Sequence, residues 1–117
     1  MLRVTIFDDV LAARGERFTV PGVQVELFPH ADDAAPLCTA GEAPDSVLMD
    51  YAMGPERKSG AEAVRELRRA GFAGEIVAIS SDAAANAEML AAGADRALAH
   101  KREISRYLDE LGARAPG

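Results

Sequence analysis

A chain of 117 residues has room for one domain with a real hydrophobic core, and its composition is globular: 49% hydrophobic, yet only 5% aromatic and without tryptophan. Thirteen basic against nineteen acidic residues leave a formal charge of −6, which argues against a broad basic surface for nucleic acid. Cys38, the single cysteine, cannot form an internal disulfide. With no charged-then-apolar leader and no apolar run of roughly 18 residues, the expectation is a cytoplasmic protein without a membrane segment.

Strand-like and helix-like patterns alternate along the whole chain, the signature of an α/β domain over 1–117 with a parallel sheet between helices. The first strand, about 2–7, runs through Arg3-Val4-Thr5-Ile6-Phe7 into Asp8-Asp9. Only thirteen residues, Val10 to Gly22, then lead to the next strand, and they include Gly15, Phe18, Pro21 and Gly22. A crossover usually takes a dozen or more residues with its helix, so the first helix is shortened to at most two turns. One face of the sheet is then thinly covered, a place for a partner or a second copy in a homodimer.

The second strand, about 23–28, alternates as Val23-Gln24-Val25-Glu26-Leu27, which predicts an edge position with one wet face. A short helix fits within Ala31 to Ala40, limited by Pro36. Strands at about 46–50 and 75–80 are nearly continuous apolar runs and belong in the sheet centre, which gives five strands in the order 2-1-3-4-5. Between them, Gly60 to Ala70 places Val64, Leu67 and Ala70 at helical spacing and stops at Gly71, with Arg65, Arg68 and Arg69 on the solvated side. Ser81-Asp82 caps an Ala-rich helix that ends at Gly93. A fifth strand at about 96–99 follows, then a helix with Ile104, Leu108 and Leu111 as its apolar stripe and Tyr107 beside them.

Two apolar runs thus stop on acids, Phe7 before Asp8-Asp9 and Met49 before Asp50. In a parallel sheet those ends lie side by side at the carboxyl edge, where open α/β folds bind ligands. Three converging carboxylates call for a cation, and a cluster of oxygen ligands suits Mg²⁺. Each residue alone has a plainer reading: Asp8 or Asp9 as a helix cap, Asp50 as a turn residue before Gly54-Pro55, Ser80 to Asp82 as caps, Lys101 as a solvated charge. His30 and His100 stand in no metal-ligand spacing, and Cys38 reads as a packing residue.

Taken in order, Asp8-Asp9 after the first strand, Asp50 after the third, Ser80 ending the fourth and Lys101 after the fifth resemble the receiver domain of bacterial response regulators, over essentially the entire chain. The resemblance implies a flavodoxin-like doubly wound fold and a phosphorylation-dependent switch in a two-component system, not a separate enzyme. Asp50 is then the phosphoacceptor, served by a sensor histidine kinase or a phosphotransfer protein. Asp8, Asp9, Asp50 and the Ala52 backbone carbonyl hold Mg²⁺, and Ser80 and Lys101 engage the phosphoryl oxygens. Output goes to a downstream protein target by protein–protein interaction.

Several positions depart from the family pattern. Lys101 stands one residue late, so that either a bulge in the fifth strand returns it to the site or His100 fills the slot; an ammonium serves better than a neutral imidazole, which favours Lys101. Arg102 replaces the proline that normally follows. The aromatic residue of the fifth strand is replaced by Ala97, or by Leu98 under the bulged alignment, and the segment from Met53 to Gly60 is about two residues longer than usual. The missing aromatic, the displaced lysine and the shortened first helix support an alternative, a pseudo-receiver that binds proteins independently of phosphorylation.

Overall fold

The computed structural model describes residues 1–115. In chain order the elements are β1 (Leu2–Phe7), α1 (Asp9–Ala13), β2 (Val23–Phe28), α2 (Ala34–Thr39), β3 (Ser46–Met49), α3 (Gly60–Arg69), β4 (Glu75–Ala78), α4 (Ala83–Ala92) and β5 (Arg96–Ala97). A 3-10 turn at Lys101–Glu103 then leads into α5 (Ile104–Ala113). All strand pairs are parallel and the order is β2-β1-β3-β4-β5, as the hydrophobic pattern predicts.

Period-two alternation along the central strands divides the core into two layers. Phe7, Val47, Met49, Ile76 and Ala78 face α2, α3 and α4, where Ala34, Cys38, Val64, Leu67 and Met89 meet them. Val4, Ile6, Leu48, Val77 and Ile79 face the other way, onto Leu11 of α1 and Ile104, Tyr107 and Leu108 of α5. Tyr107 is fully buried rather than merely beside the stripe, because its hydroxyl has partners: Ser46 Oγ at 2.6 Å and the Glu75 carboxylate, to which it donates.

Helix α1 is even shorter than the crossover length suggests, with five residues. The irregular chain after it brings Phe18 and Val20 against the second core layer in place of a longer helix, and Val25 and Leu27 of β2 stay only half-buried there. Gln24 and Glu26 on the opposite side of β2 are exposed, the wet face expected of an edge strand. Helix α2 keeps Pro36 within its first turn, where no intrahelical N–H bond is forfeited. Helix α3 is opened by a capping box the sequence reading passed over: Ser59 Oγ accepts from Glu62 N at 3.2 Å, and Glu62 Oε1 accepts from Ser59 N at 3.3 Å.

Two expectations need correction. The fifth strand is paired only at Arg96–Ala97, because the chain leaves the sheet once Leu98 N has bonded Ala78 O at 2.8 Å. Arg68 is not a solvated side chain: its guanidinium donates to the carbonyls of Phe72, Gly74 and Gly93 and to Asp95 Oδ2 at 2.8–3.0 Å, tying the α3–β4 and α4–β5 turns together. Arg65 and Arg69 are exposed as predicted.

Candidate functional site

Strand ends at one edge of the sheet assemble the site. Asp8 N bonds Phe28 O and Asp50 N bonds Phe7 O, each at 2.9 Å, so both acids leave the sheet with their backbones still held by a neighbouring strand. Asp8 is completely buried. Its Oδ1 accepts from Leu11 N at 3.0 Å and caps α1, so the capping role and the site role coexist in one side chain. Asp8 Oδ2 has no hydrogen bond among the described residues, and its charge is met by Lys101 Nζ at 2.7 Å in an ion pair without hydrogen-bond alignment.

Asp50 accepts from Tyr51 N through Oδ1 at 2.9 Å and from Lys101 Nζ through Oδ2 at 3.2 Å. Burial raises its carboxyl above the ordinary value and the Asp8 charge adds to the rise, opposed by Tyr51 N–H and Lys101. Burial alone would lower the Lys101 ammonium; its contact with Asp8 and the charges of Asp50 and Asp8 outweigh that and raise it. The displaced lysine therefore does reach the pocket, by neither of the routes considered from sequence. The chain leaves the sheet early, His100 remains extended and exposed, and the 3-10 turn presents Lys101.

One carboxylate oxygen from each of Asp8, Asp9 and Asp50 lies within 4.8 Å of the others, and Asp9 Oδ1 is buried with no partner among the described residues. An orphaned, desolvated carboxylate oxygen beside two more is costly without a cation. An all-oxygen donor set of this charge fits Mg²⁺. Ala52, whose carbonyl is the remaining expected ligand, is exposed at the start of the loop that follows Asp50.

Ser80 is buried, with its backbone just beyond the β4 ladder. Its Oγ accepts from Asp82 N at 3.1 Å, in the turn that opens α4. Asp82 itself caps α4 through Ala84 N at 2.9 Å. Ala97 is exposed, and Leu98 points into the α5-side core. With no ring between α4 and β5, a groove of about 290 Å³ opens there, lined by Ser81, Ala83, Ala87, Leu90, Ala97 and Ala99 among others.

Sequence reasoning missed three supports of the pocket. Gly60, read only as a helix start, packs on the acceptor's own backbone: a Cβ there would stand 2.1 Å from Asp50 O and 2.6 Å from Met89 Sδ, and Gly60 N donates to Tyr51 O at 2.7 Å. Asp32 fastens the long loop after Asp50, accepting from Arg57 Nη1 at 2.9 Å and from Lys58 N at 3.0 Å, and these contacts hold its carboxyl below the usual range. Asn86, a polar residue inside an Ala-rich helix, is buried against Ser80. Only the last had a visible signal in the sequence.

No protein-family model matches the chain, and no curated protein matches it. Solved structures do. A two-component response regulator of the LuxR family from Aurantimonas sp. SI85-9A1 is 25% identical with a TM-score of 0.69, over 95% of this chain and 84% of that one. The receiver domain of a histidine kinase from Arabidopsis thaliana, complexed with Mg²⁺, is also 25% identical, with a TM-score of 0.66 over 94% of this chain and 91% of that one. This chain has the fold of a response-regulator receiver domain. A response regulator from Thermotoga maritima, in complex with Mg²⁺ and BeF, shares that receiver fold at 17% identity, with a TM-score of 0.69 over 97% of this chain and 98% of the other. The acidic cluster at the edge of this receiver fold fits a Mg²⁺ site, and no helix among the described residues is long and apolar enough to cross a membrane.

Proposed function

We propose that this chain is a phosphorylation-dependent switch of a two-component system that accepts a phosphoryl group on Asp50. The observation that carries the reading is the convergence of Asp50 with two further carboxylates and the Lys101 ammonium at the carboxyl edge of the sheet. That arrangement matches the chemistry of a carboxylate attacking an anion, where catalysis is mostly positioning and charge neutralisation.

An Asp50 carboxylate oxygen attacks phosphorus. The bond from phosphorus to the donor, the imidazole nitrogen of a phosphohistidine, breaks with its electron pair going to that nitrogen, and an acyl phosphate remains on Asp50. Tyr51 N–H holds Asp50 Oδ1 and fixes the direction in which the carboxylate is presented. Asp8, Asp9, Asp50 and the Ala52 carbonyl would hold Mg²⁺, which when bound supplies neutralisation of the incoming phosphoryl charge. Lys101, now on Asp50 Oδ2, pairs with a phosphoryl oxygen after transfer, and the Ser80 hydroxyl hydrogen-bonds another. The chain acts on no separate substrate; its partners are a sensor histidine kinase or phosphotransfer protein and a downstream protein that distinguishes the two states.

The test is incubation with Mg²⁺ and acetyl phosphate, followed by intact mass. A phosphoryl adduct that requires Mg²⁺ and is abolished by Asp50→Asn supports the reading. A second reading, a protein-binding module independent of phosphate, draws on the same Lys101 contacts, which neutralise part of the acidic pocket without any cation, and on Ala97 in the aromatic position. No adduct, together with no Mg²⁺-dependent amide shifts, favours that module.

A further inference from the structure

Ser80 stands one residue beyond the last backbone bond that ties its strand to β3: the ladder ends at Ala78, and Ile79 N donates to Met49 O at 3.0 Å. Nothing in the sheet fixes where Ser80 sits. The Asn86 side chain does. Ser80 N donates to Asn86 Oδ1 at 3.0 Å, Asn86 Nδ2 donates back to Ser80 O at 2.7 Å, and the same nitrogen lies 3.4 Å from Leu98 O. The orientation of the carboxamide follows from its partners, since only the oxygen can receive an N–H and only the nitrogen can serve two carbonyls.

Asn86 is 6% exposed, in a helix whose neighbouring positions are alanine. Asparagine is a poorer helix former than alanine, and a buried carboxamide is tolerated only when its hydrogen bonds are satisfied. Here all of its polar capacity is directed at Ser80 and the end of β5.

We infer that Asn86 is a positioning residue for Ser80. It fixes the backbone from which Ser80 Oγ projects, so that the hydroxyl changes partner, from Asp82 N to a phosphoryl oxygen, by rotating about a held Cα. It also joins Ser80 to α4 and to Leu98, so that any shift of the Ser80 backbone is felt at the α4–β5 groove, where no aromatic ring is present to carry it. The inference rests on the reading of Ser80 as the hydroxyl that meets the phosphoryl group on Asp50.

The experiment compares the full chain with N86A, N86D, S80A and the S80A/N86A pair, using two measurements. The first is amide hydrogen exchange without any phosphoryl donor. N86A is expected to speed exchange at Ser80 by about tenfold while Ile76 to Ala78 stay protected, as expected when one buried bond is lost. The second is the rate of adduct formation on Asp50 from acetyl phosphate and Mg²⁺, with acetate leaving as the phosphoryl group transfers. N86A is expected to slow it about tenfold in the presence of Ser80 and by less than about twofold in the S80A background, where no hydroxyl remains to be aimed. If N86A does not fold, N86D, which keeps the acceptor for Ser80 N and removes the donor to Ser80 O, takes its place in both measurements. Unchanged exchange at Ser80 overturns the anchoring. An equal slowing in both backgrounds overturns the positioning role in favour of a general structural one. Failure of the unmutated chain to form any adduct overturns instead the phosphoacceptor reading on which the second measurement depends.

Discussion

Lys101 Nζ lies 2.7 Å from Asp8 Oδ2 and 3.2 Å from Asp50 Oδ2, so one ammonium bridges the carboxylates that end β1 and β3. Asp8 is wholly buried and Asp50 nearly so, and in such surroundings removing one partner leaves an uncompensated charge. Lys101→Met should therefore lower stability by about 2 kcal/mol in chelator, less than for a fully buried pair because the lysine keeps some solvent contact. Urea unfolding with and without Mg²⁺ checks this: the deficit shrinks when the cation is supplied. Because the lysine ammonium is raised, the wild-type contribution is complete below the ordinary lysine range and is lost as pH rises through the higher folded value.

Asp50 shifts in the same direction, but there it is the neutral form that the fold favours. Its carboxyl is raised by burial and by Asp8, so the folded state holds a proton more tightly than the unfolded one and the charged form opposes folding. Its contribution to stability is present below its ordinary value and is lost as pH rises through the raised folded value. Asp50→Asn should then melt higher than the parent at neutral pH in chelator, with the advantage fading in acid and on adding Mg²⁺. Thermal unfolding across pH reads this directly, and an asparagine variant that melts lower at neutral pH contradicts it.

Gly60 lets α3 begin directly against the acceptor's backbone. Gly60→Ala would place a methyl group 2.1 Å from Asp50 O, a backbone atom that cannot yield without moving the nucleophile. The expected cost is about 2 kcal/mol of stability, accompanied by slower phosphoryl acceptance from acetyl phosphate. Gly41→Ala is not an equivalent control, since Gly41 has a positive φ; Arg65→Ala, on the exposed side of α3, is the suitable comparison.

Arg68 makes a rigid fork to three carbonyls and Asp95. Lysine has the charge but not the planar set of donors, so Arg68→Lys should lose about 2 kcal/mol and Arg65→Lys on the exposed side close to nothing. Equal stabilities for the two would show that the fork does not tie the turns together.

Much of the architecture was readable because local chemistry and tertiary packing agree. The alternation of Val23 to Leu27 marked an edge strand, and the unbroken runs of Val47 to Met49 and Ile76 to Ile79 marked strands covered on both faces. Gly71 and Gly93 ended their helices where helix chemistry required. The strand order followed from these. Where reading failed, the deciding contacts were non-local: Arg68 has the helical spacing of a surface residue, and only the fold brings the carbonyls of Phe72, Gly74 and Gly93 to it. The fifth strand was overestimated because the apolar run Ala97-Leu98-Ala99 satisfies a strand pattern whether or not a partner strand extends that far.

The candidate site divides in the same way. By itself the sequence determined which groups end up at one edge, because a strand that stops on an acid delivers that acid to the carboxyl end of any parallel sheet it joins. It could not decide how Lys101 arrives, since a one-residue displacement is absorbed by a bulge, by a substitute residue or by an early exit from the sheet, and the local sequence is compatible with all three. Tertiary structure chose the early exit and set Lys101 between Asp8 and Asp50. It likewise brought Gly60 against the backbone of Asp50, ten residues away, and Asp32 to Arg57 and Lys58, 25 and 26 residues away, contacts for which three-dimensional packing is responsible; only Asn86 reaches its partner Ser80 from nearby, six residues along the chain.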